Sequence, residues 1–200
     1  AIFVGMLFVS GIRLRLVRII ATVGVLLMPL AWFVLKDYQK QRILVFMNPD
    51  IDPFGSGYHI IQSKIAIGSG TIFGKGLFNG TQSQLNFLPE NHTDFIFSVI
   101  GEELGFIGCI FVLILLFMLI YRSIKVAYSC NDRFGMLLAT GIGSMLCFEV
   151  LVNAGMTMGI MPVTGIPLPF ISYGVSALTT NMISVGILLN ISMQRKKYIF

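Results

Sequence analysis

"NFLPENHTDFIFSVIGEELGFIGCIFVLILLFMLIY", residues 86–121, decides how the rest of the chain is read. It puts Glu90, His92 and Asp94 within five residues, carries Glu102 and Glu103 a little further on, and then reaches Tyr121 without another charge. Its apolar part is long enough to cross a hydrocarbon core of about 30 Å as a helix rising about 1.5 Å per residue. The stretch reads as a membrane span, Phe95 to Tyr121, entered from a polar loop.

The remainder of the chain agrees with that solvent. Hydrophobic residues make up 56% and charged residues only 12% of the sequence, the mean hydropathy is +0.85, and a soluble domain carries about 25% charged residues. Three further apolar runs have spanning length: Leu16 to Leu35, containing Pro29 as an expected kink, Phe134 to Met158, and Ser176 to Met193. The opening run "AIFVGMLFVSGI", residues 1–12, covers only about 18 Å as a helix and has no basic flank of a secretory signal. It is expected to belong to something longer. The fold class is therefore an all-α membrane protein, a polytopic transmembrane helix bundle with a large extracytoplasmic loop.

Charge gives the orientation. Arg13, Arg15 and Arg18, then Arg122, Lys125 and Arg133, then Arg195, Lys196 and Lys197 fall on one side if the runs alternate, accompanied by one acid, Asp132. The positive-inside rule makes that side cytoplasmic. The net charge of +5 is thus spent on topology, and nucleic acid is excluded as a partner. Cys109 and Cys147 lie inside spans and Cys130 in a short loop, which suits small buried hydrophobes better than a disulfide or metal framework.

The connection from about Lys36 to Thr93 then lies outside, as does "PVTGIPLPFISYG", Pro162 to Gly174. Connections longer than about 15 residues are usually functional. Within the longer one, "GYHIIQSKIAI", Gly57 to Ile67, places Ile60, Ile61 and Ile65 at helical spacing, as an amphipathic helix lying in the outer interface would. Trp32 and Tyr38 sit where an outer aromatic belt is expected. "GSGTIFGKG", residues 68–76, is no phosphate loop, because Gly76 follows Lys75 and Ser69 holds the place of the first glycine. It reads as a glycine-rich turn or, with Lys64 and Lys75, as a backbone nest for a lipid diphosphate. Asn79 to Thr81 and Asn91 to Thr93 match the short glycosylation acceptor pattern.

A helix starting near Thr93 would line up Ser98, Gly101, Gly105 and Gly108 beneath Asp94. That stripe serves either close helix packing or a channel for a lipid tail whose head group meets Asp94. Glu102, Glu103 and Glu149 are costly in lipid and must be paired, neutral or turned inward; Glu149 and Asn153, four apart, form a ready pair. His92 and Asp94 are too few for a metal site, though one carboxylate and substrate phosphates can hold a divalent cation such as Mg²⁺ or Mn²⁺. His92 otherwise reads as an interfacial helix cap. Asp94, the last carboxylate before the membrane, sits at a low-dielectric boundary that raises proton affinity and suits a general base.

"FLPENHTDFIFSVIGEELG", with "GYHIIQSKIAIGSG" and "GKGLFNGTQSQLNF" before it and "GIPLPFISYG" after it, resembles the SEDS family of shape, elongation, division and sporulation proteins. The segments from Tyr58 to Gly70 and from Gly80 to Gln84 resemble the elongation branch, RodA, more than the division branch, FtsW. The match covers the chain as a C-terminal half. The resemblance implies a peptidoglycan glycosyltransferase that polymerises lipid II on the outer face of the bacterial cytoplasmic membrane during cell elongation, beside a class B penicillin-binding transpeptidase. It implies Asp94 as the catalytic residue, releasing an undecaprenyl diphosphate lipid. Lys64, Lys75, His92, Ser98, Glu102, Pro169 and Ser172 are the expected substrate-binding residues, with no protein-held metal site. Val175 departs from the family's second glycine, and the N-terminal helices are absent, so this portion alone is expected to be inactive. A lipid II transporter acting through Glu102, Glu103 and Glu149, a division or sporulation polymerase, and a scaffold recruiting the transpeptidase are the competing readings.

Overall fold

A computed structural model describes residues 2–11, 14–53, 55–85, 87–90 and 92–194, without the side chains of 14–16, 20, 21, 28, 31, 32 and 56. Arg13, Asn91, Arg195, Lys196 and Lys197, and the side chains of Arg15 and Trp32, lie outside those residues. The described elements are all helical: α1 (Ile2–Val9), α2 (Leu14–Val34), α3 (Asp37–Met47), a 3-10 turn (Pro49–Ile51), α4 (Ser56–Ser69), α5 (Thr81–Gln84), α6 (Ile96–Tyr128), α7 (Arg133–Thr157) and α8 (Val175–Gln194). Helices α6, α7 and α8 are long and apolar enough to cross a membrane. Helix α2 overlaps the first expected run and continues through Pro29 as one element.

The core lies between α6 and α7. Phe97, Leu116, Ile120 and Ala127 of α6 meet Ala139, Ile142, Leu146, Val150 and Ala154 of α7, with Leu168 and Leu188 closing the cluster. Small residues permit the close approach that stands in for a hydrophobic driving force in lipid: a Cβ at Gly143 would be 3.2 Å from Ser123, and one at Gly141 would be 3.3 Å from Met6 of α1. Asp132 caps α7, its carboxylate accepting from Gly135 N at 3.0 Å, which satisfies one of the amides that a helix start leaves without a partner. The outward surfaces of α6 and α8 remain apolar, with Phe111, Phe117, Ile183 and Leu189 among their exposed side chains.

Two expectations about the outer side change. The buried face of α4 is Ile60, Ser63 and Ala66, while Ile65 is 45% exposed, so α4 packs a small-residue face against α6 and α7. It does not lie free on lipid. Helix α3 was not anticipated, since a largely polar half, Asp37 to Arg42, is followed by an apolar half, Ile43 to Met47, with no apolar stripe along one face; Val45 is its buried contact.

The larger correction concerns α6, which is two helical pieces meeting at Gly105, where φ is 67° and ψ is −163°. Only glycine holds that conformation readily. The break frees backbone groups that the loop Thr71–Gly76 satisfies: Lys75 N and Gly76 N donate to Glu102 O and Glu103 O at 3.0 Å each, while Phe106 N and Ile107 N donate to Thr71 O at 3.0 Å and Ile72 O at 3.2 Å. A side chain at Gly105 would run into the backbone of Gly74 and Ile72. The charge-free run Leu104–Tyr121 therefore starts at the break, and its length of about 27 Å matches a hydrocarbon core of about 30 Å. Glu102 and Glu103 sit at the outer edge of that run, shallower than an unbroken span from Phe95 would place them.

Candidate functional site

Residues 92–95 form a turn ahead of α6 that is tied to Glu90. Thr93 N and Phe95 N both donate to Glu90 O, at 3.2 and 3.3 Å, and the Thr93 hydroxyl reaches Glu90 Oε2 at 3.0 Å. Three successive carbonyls of this turn are held from outside it. His92 O accepts from Tyr173 N at 2.8 Å, Thr93 O from Ser172 Oγ at 2.7 Å, and Asp94 O from Asn153 Nδ2 at 2.9 Å. The same amide of Asn153 donates to Ile166 O at 2.8 Å, and Ser172 Oγ accepts from Leu168 N at 2.7 Å. Helix α7 and the loop 162–174 thus grip the backbone of 92–94 through groups that are themselves buried: Asn153 has no exposed surface and Ser172 9%.

With its backbone fixed, the half-buried Asp94 side chain lies over Gly165, where φ is +73° and a Cβ would come within 3.1 Å of Asp94 Oδ2. Both the left-handed backbone and the close approach require glycine there. Beside Asp94, Phe95 stacks on His59 of α4 with ring centroids 6.0 Å apart. Burial raises the proton affinity of the Asp94 carboxylate above that of an ordinary aspartate; the negative charge of Glu90 adds to this and the positive charge of Arg42 opposes it. Its carboxylate makes no hydrogen bond or ion pair with a described residue.

The other expected site residues separate into groups. His92 and Lys64 are exposed, and the end of the Lys64 side chain lies against Gly159 after α7. Lys75 is not available to a diphosphate: its ammonium is 2.8 Å from Glu102 Oε1 and donates to Thr81 Oγ1 at 2.8 Å. Glu102, fully buried, also accepts from Thr81 Oγ1 at 3.2 Å, Gln82 N at 2.9 Å, and Ser83 N and Oγ at 3.0 Å each. Ser98, with no exposed surface, shares a 2.6 Å hydrogen bond with Ser63, whose hydroxyl is 2.6 Å from Thr157 O. Pro169 is likewise fully buried. Ser98, Glu102, Pro169 and Ser172 therefore hold protein to protein in this structure; none of the four presents a free group to a ligand.

Several expectations tied to these residues change with them. Of the stripe Ser98, Gly101, Gly105 and Gly108, the first two lie against α4, where a Cβ at Gly101 would be 3.1 Å from Ile67, and Gly105 lies against the loop at Ile72 and Gly74; these three positions leave no channel for a lipid tail. The amides of Lys75 and Gly76 bond the carbonyls of broken α6 and form no open nest. Asn153 does not pair with Glu149; its amide turns to Asp94 and Ile166, and Glu149 Oε2 is buried without a hydrogen-bond partner among the described residues. Among the described residues no group of three His, Cys, Asp or Glu side chains gathers to hold a metal. Asp94 and Glu90 could serve one side of a cation whose other ligands are substrate phosphates.

The family model described as "Cell cycle protein", covering FtsW, RodA and SpoVE, matches residues 1–197. The chain is 49% identical over 191 residues to the peptidoglycan glycosyltransferase MrdB of Escherichia coli strain K12, covering 95% of this chain and 52% of that protein. It is 48% identical to the peptidoglycan glycosyltransferase RodA of Treponema pallidum, over 81% of this chain and 37% of that one. It is 46% identical to the probable peptidoglycan glycosyltransferase FtsW of Geobacter metallireducens, over 96% and 50%. A chain from a structure of a peptidoglycan synthase complex, concerned with the coordination of polymerization and crosslinking, superposes with a TM-score of 0.74 at 33% identity, covering 98% of this chain and 53% of its own. The crystal structure of an aspartate-to-alanine mutant of the rod shape determining protein RodA from Thermus thermophilus superposes over 62% of this chain and 39% of its own, with a TM-score of 0.52 at 37% identity. The chain spans about half the length of the curated relatives it matches.

Proposed function

Because the chain belongs to the FtsW, RodA and SpoVE family of cell cycle proteins, which is the SEDS family, and is part of a multi-pass bacterial inner-membrane protein, we infer that it carries the catalytic carboxylate of a peptidoglycan glycosyltransferase. In this reading lipid II is polymerised on the outer face of the membrane during elongation, in company with a class B penicillin-binding transpeptidase. One observation carries the assignment. Asp94 has a backbone clamped by Tyr173, Ser172 and Asn153 and a half-buried carboxylate committed to no described partner.

The chemistry asks for one proton transfer. The 4-hydroxyl oxygen of the acceptor sugar bonds to the anomeric carbon of the donor, the carbon–oxygen bond to the diphosphate breaks, and undecaprenyl diphosphate departs with the bonding pair. The hydroxyl proton goes to the Asp94 carboxylate. A half-buried base whose proton affinity is raised by that burial is better matched to that proton than a fully hydrated aspartate, and general-base help contributes about 10² to 10⁴ in rate. Clamped carbonyls fix where the carboxylate starts, and positioning of this kind is a large share of catalysis. Lys64 and Arg42, both exposed, are among the described cations in no ion pair with a described residue and are the ones we assign to meet the diphosphate, which leaves Lys75 a structural role.

The transporter reading depended on Glu102, Glu103 and Glu149 as acids near the midplane. Glu102 and Glu103 lie at the outer edge of the charge-free run and are engaged by Lys75 and Gln84, which favours the enzyme. The test is glycan polymerisation from lipid II by the full-length protein carrying Asp94→Asn, at normal expression and transpeptidase binding. Polymer should be lost; polymer at the parent's level removes Asp94 from the reaction.

A further inference from the structure

Between Thr71 and Phe78 the chain turns beside the break in α6 and leaves Ile72, Phe73, Leu77 and Phe78 outward, 58%, 79%, 62% and 79% exposed. Four large apolar side chains so close together on one loop would be a liability in water. Their depth is fixed by backbone bonds: Thr71 O and Ile72 O accept from Phe106 N and Ile107 N, and Lys75 N and Gly76 N donate to Glu102 O and Glu103 O. Those partners straddle the start of the charge-free run Leu104–Tyr121, whose length of about 27 Å fills a core of about 30 Å. The turn is therefore level with the outer edge of the hydrocarbon.

The surroundings point to lipid as the occupant. Leu104, Phe106 and Ile107, which follow on α6, are themselves 39%, 61% and 51% exposed, so the apolar surface of the turn continues into the lipid-facing surface of the span. The single charge on the turn, Lys75, is directed inward to Glu102 at 2.8 Å. Thr71 and Phe78, at either end, hold left-handed backbone with φ of 52° and 61°, which residues other than glycine adopt only where their surroundings impose it. Aromatic side chains at this level gain from the boundary between headgroups and acyl chains.

We propose that the turn Ile72–Phe78 is inserted into the outer leaflet as an anchor whose partner is phospholipid. It sets the height of the Glu102–Ile107 junction, and through α6 the height of Asp94, relative to the membrane surface. This holds whether or not Asp94 is a catalytic base.

The experiment uses the full-length protein in vesicles of phosphatidylethanolamine and phosphatidylglycerol whose acyl chains are brominated either near the ester or near the chain end. Phe73→Trp and Phe78→Trp report from the turn, and Phe117→Trp, at a position 65% exposed on α6, reports from the middle of the charge-free run; the parent's fluorescence is subtracted. Both turn positions should be quenched more by bromines near the ester than by those near the chain end, with the reverse at Phe117→Trp, and should be shielded from iodide in the outer solution. Quenching by iodide with no response to bromine would overturn the proposal by placing the turn in water. Indifference to both quenchers would overturn it by showing the turn covered with protein. If one turn variant does not fold, Leu77→Trp takes its place.

Discussion

Glu102 accepts from five donors, and Lys75 is only one of them, which allows the contribution of the ion pair to be separated from that of the other four. Lys75→Met removes the counter-charge but leaves Thr81 Oγ1, Gln82 N, and Ser83 N and Oγ around the carboxylate. A hydrogen bond to a charged group contributes about 1.5–3 kcal/mol, and this is the expected loss. Glu102→Ala withdraws the acceptor from the amides of Gln82 and Ser83 and from Lys75 together. Breaking a buried pair from the side that leaves most groups stranded costs about 3–5 kcal/mol, although Lys75, with its side chain 27% exposed, recovers part of this through water. The alanine variant should therefore be the more damaged, and the double variant should be little worse than Glu102→Ala alone, because the two residues share one interaction. The assay is the midpoint of heat-induced loss of the monodisperse full-length protein in detergent. Equal damage from both single variants would refute the reasoning, since it would mean that the ion pair, and not the set of loop donors, fastens the loop to α6.

Other outcomes follow from the same contacts. Gly105→Ala should cost at least about 1–3 kcal/mol for the strained backbone, with the collision against Gly74 and Ile72 added, and should appear as lost yield of folded protein. Ser172→Ala removes the clamp on Thr93 O and the acceptor for Leu168 N; it should lower the polymerisation rate by up to about 10²-fold through misplacement of the carboxylate, and should lower the melting midpoint as well, since each buried group left without a partner costs about 1–3 kcal/mol. The pH dependence of the rate should respond to charge near Asp94. A base works when deprotonated, so a raised proton affinity puts the rise in activity at higher pH than an ordinary aspartate would. Glu90→Gln removes a charge that raises Asp94's affinity, and the rise should move to lower pH; Arg42→Gln removes the opposing charge, and it should move to higher pH. Rate profiles of the purified protein check both.

Composition and the charge-free run made the helical membrane class legible, because lipid imposes a length and an apolar character that nothing else in a sequence imitates. The break in α6 was not legible: Gly101, Gly105 and Gly108 look alike as letters, and only the loop that meets Gly105 separates a left-handed junction from a packing glycine. Asp94 stood out as the last acid before the span. Its supports did not. Asn153 shares a helix face with Glu149, so local spacing suggested a pair, whereas the carbonyls of Asp94 and Ile166, far away in sequence, were the stronger partners. Ser172 was read as a ligand contact for a related reason: a hydroxyl in a loop that resembles the family's gives no sign of facing inward until Thr93 is known to lie beneath it. Gly165, Arg42 and His59 carried no signal that a single sequence could have ranked above other polar or small residues.

The most direct measurement is the rate of glycan polymerisation from lipid II by the full-length protein, followed from mildly acidic to mildly alkaline pH for the parent and for Asp94→Asn. The account predicts an acid limb in the parent and, in the variant, a rate lower by about 10² to 10⁴ with that limb gone. An Asp94→Asn protein that polymerises with the parent's rate and keeps the same acid limb would show that another group takes the proton.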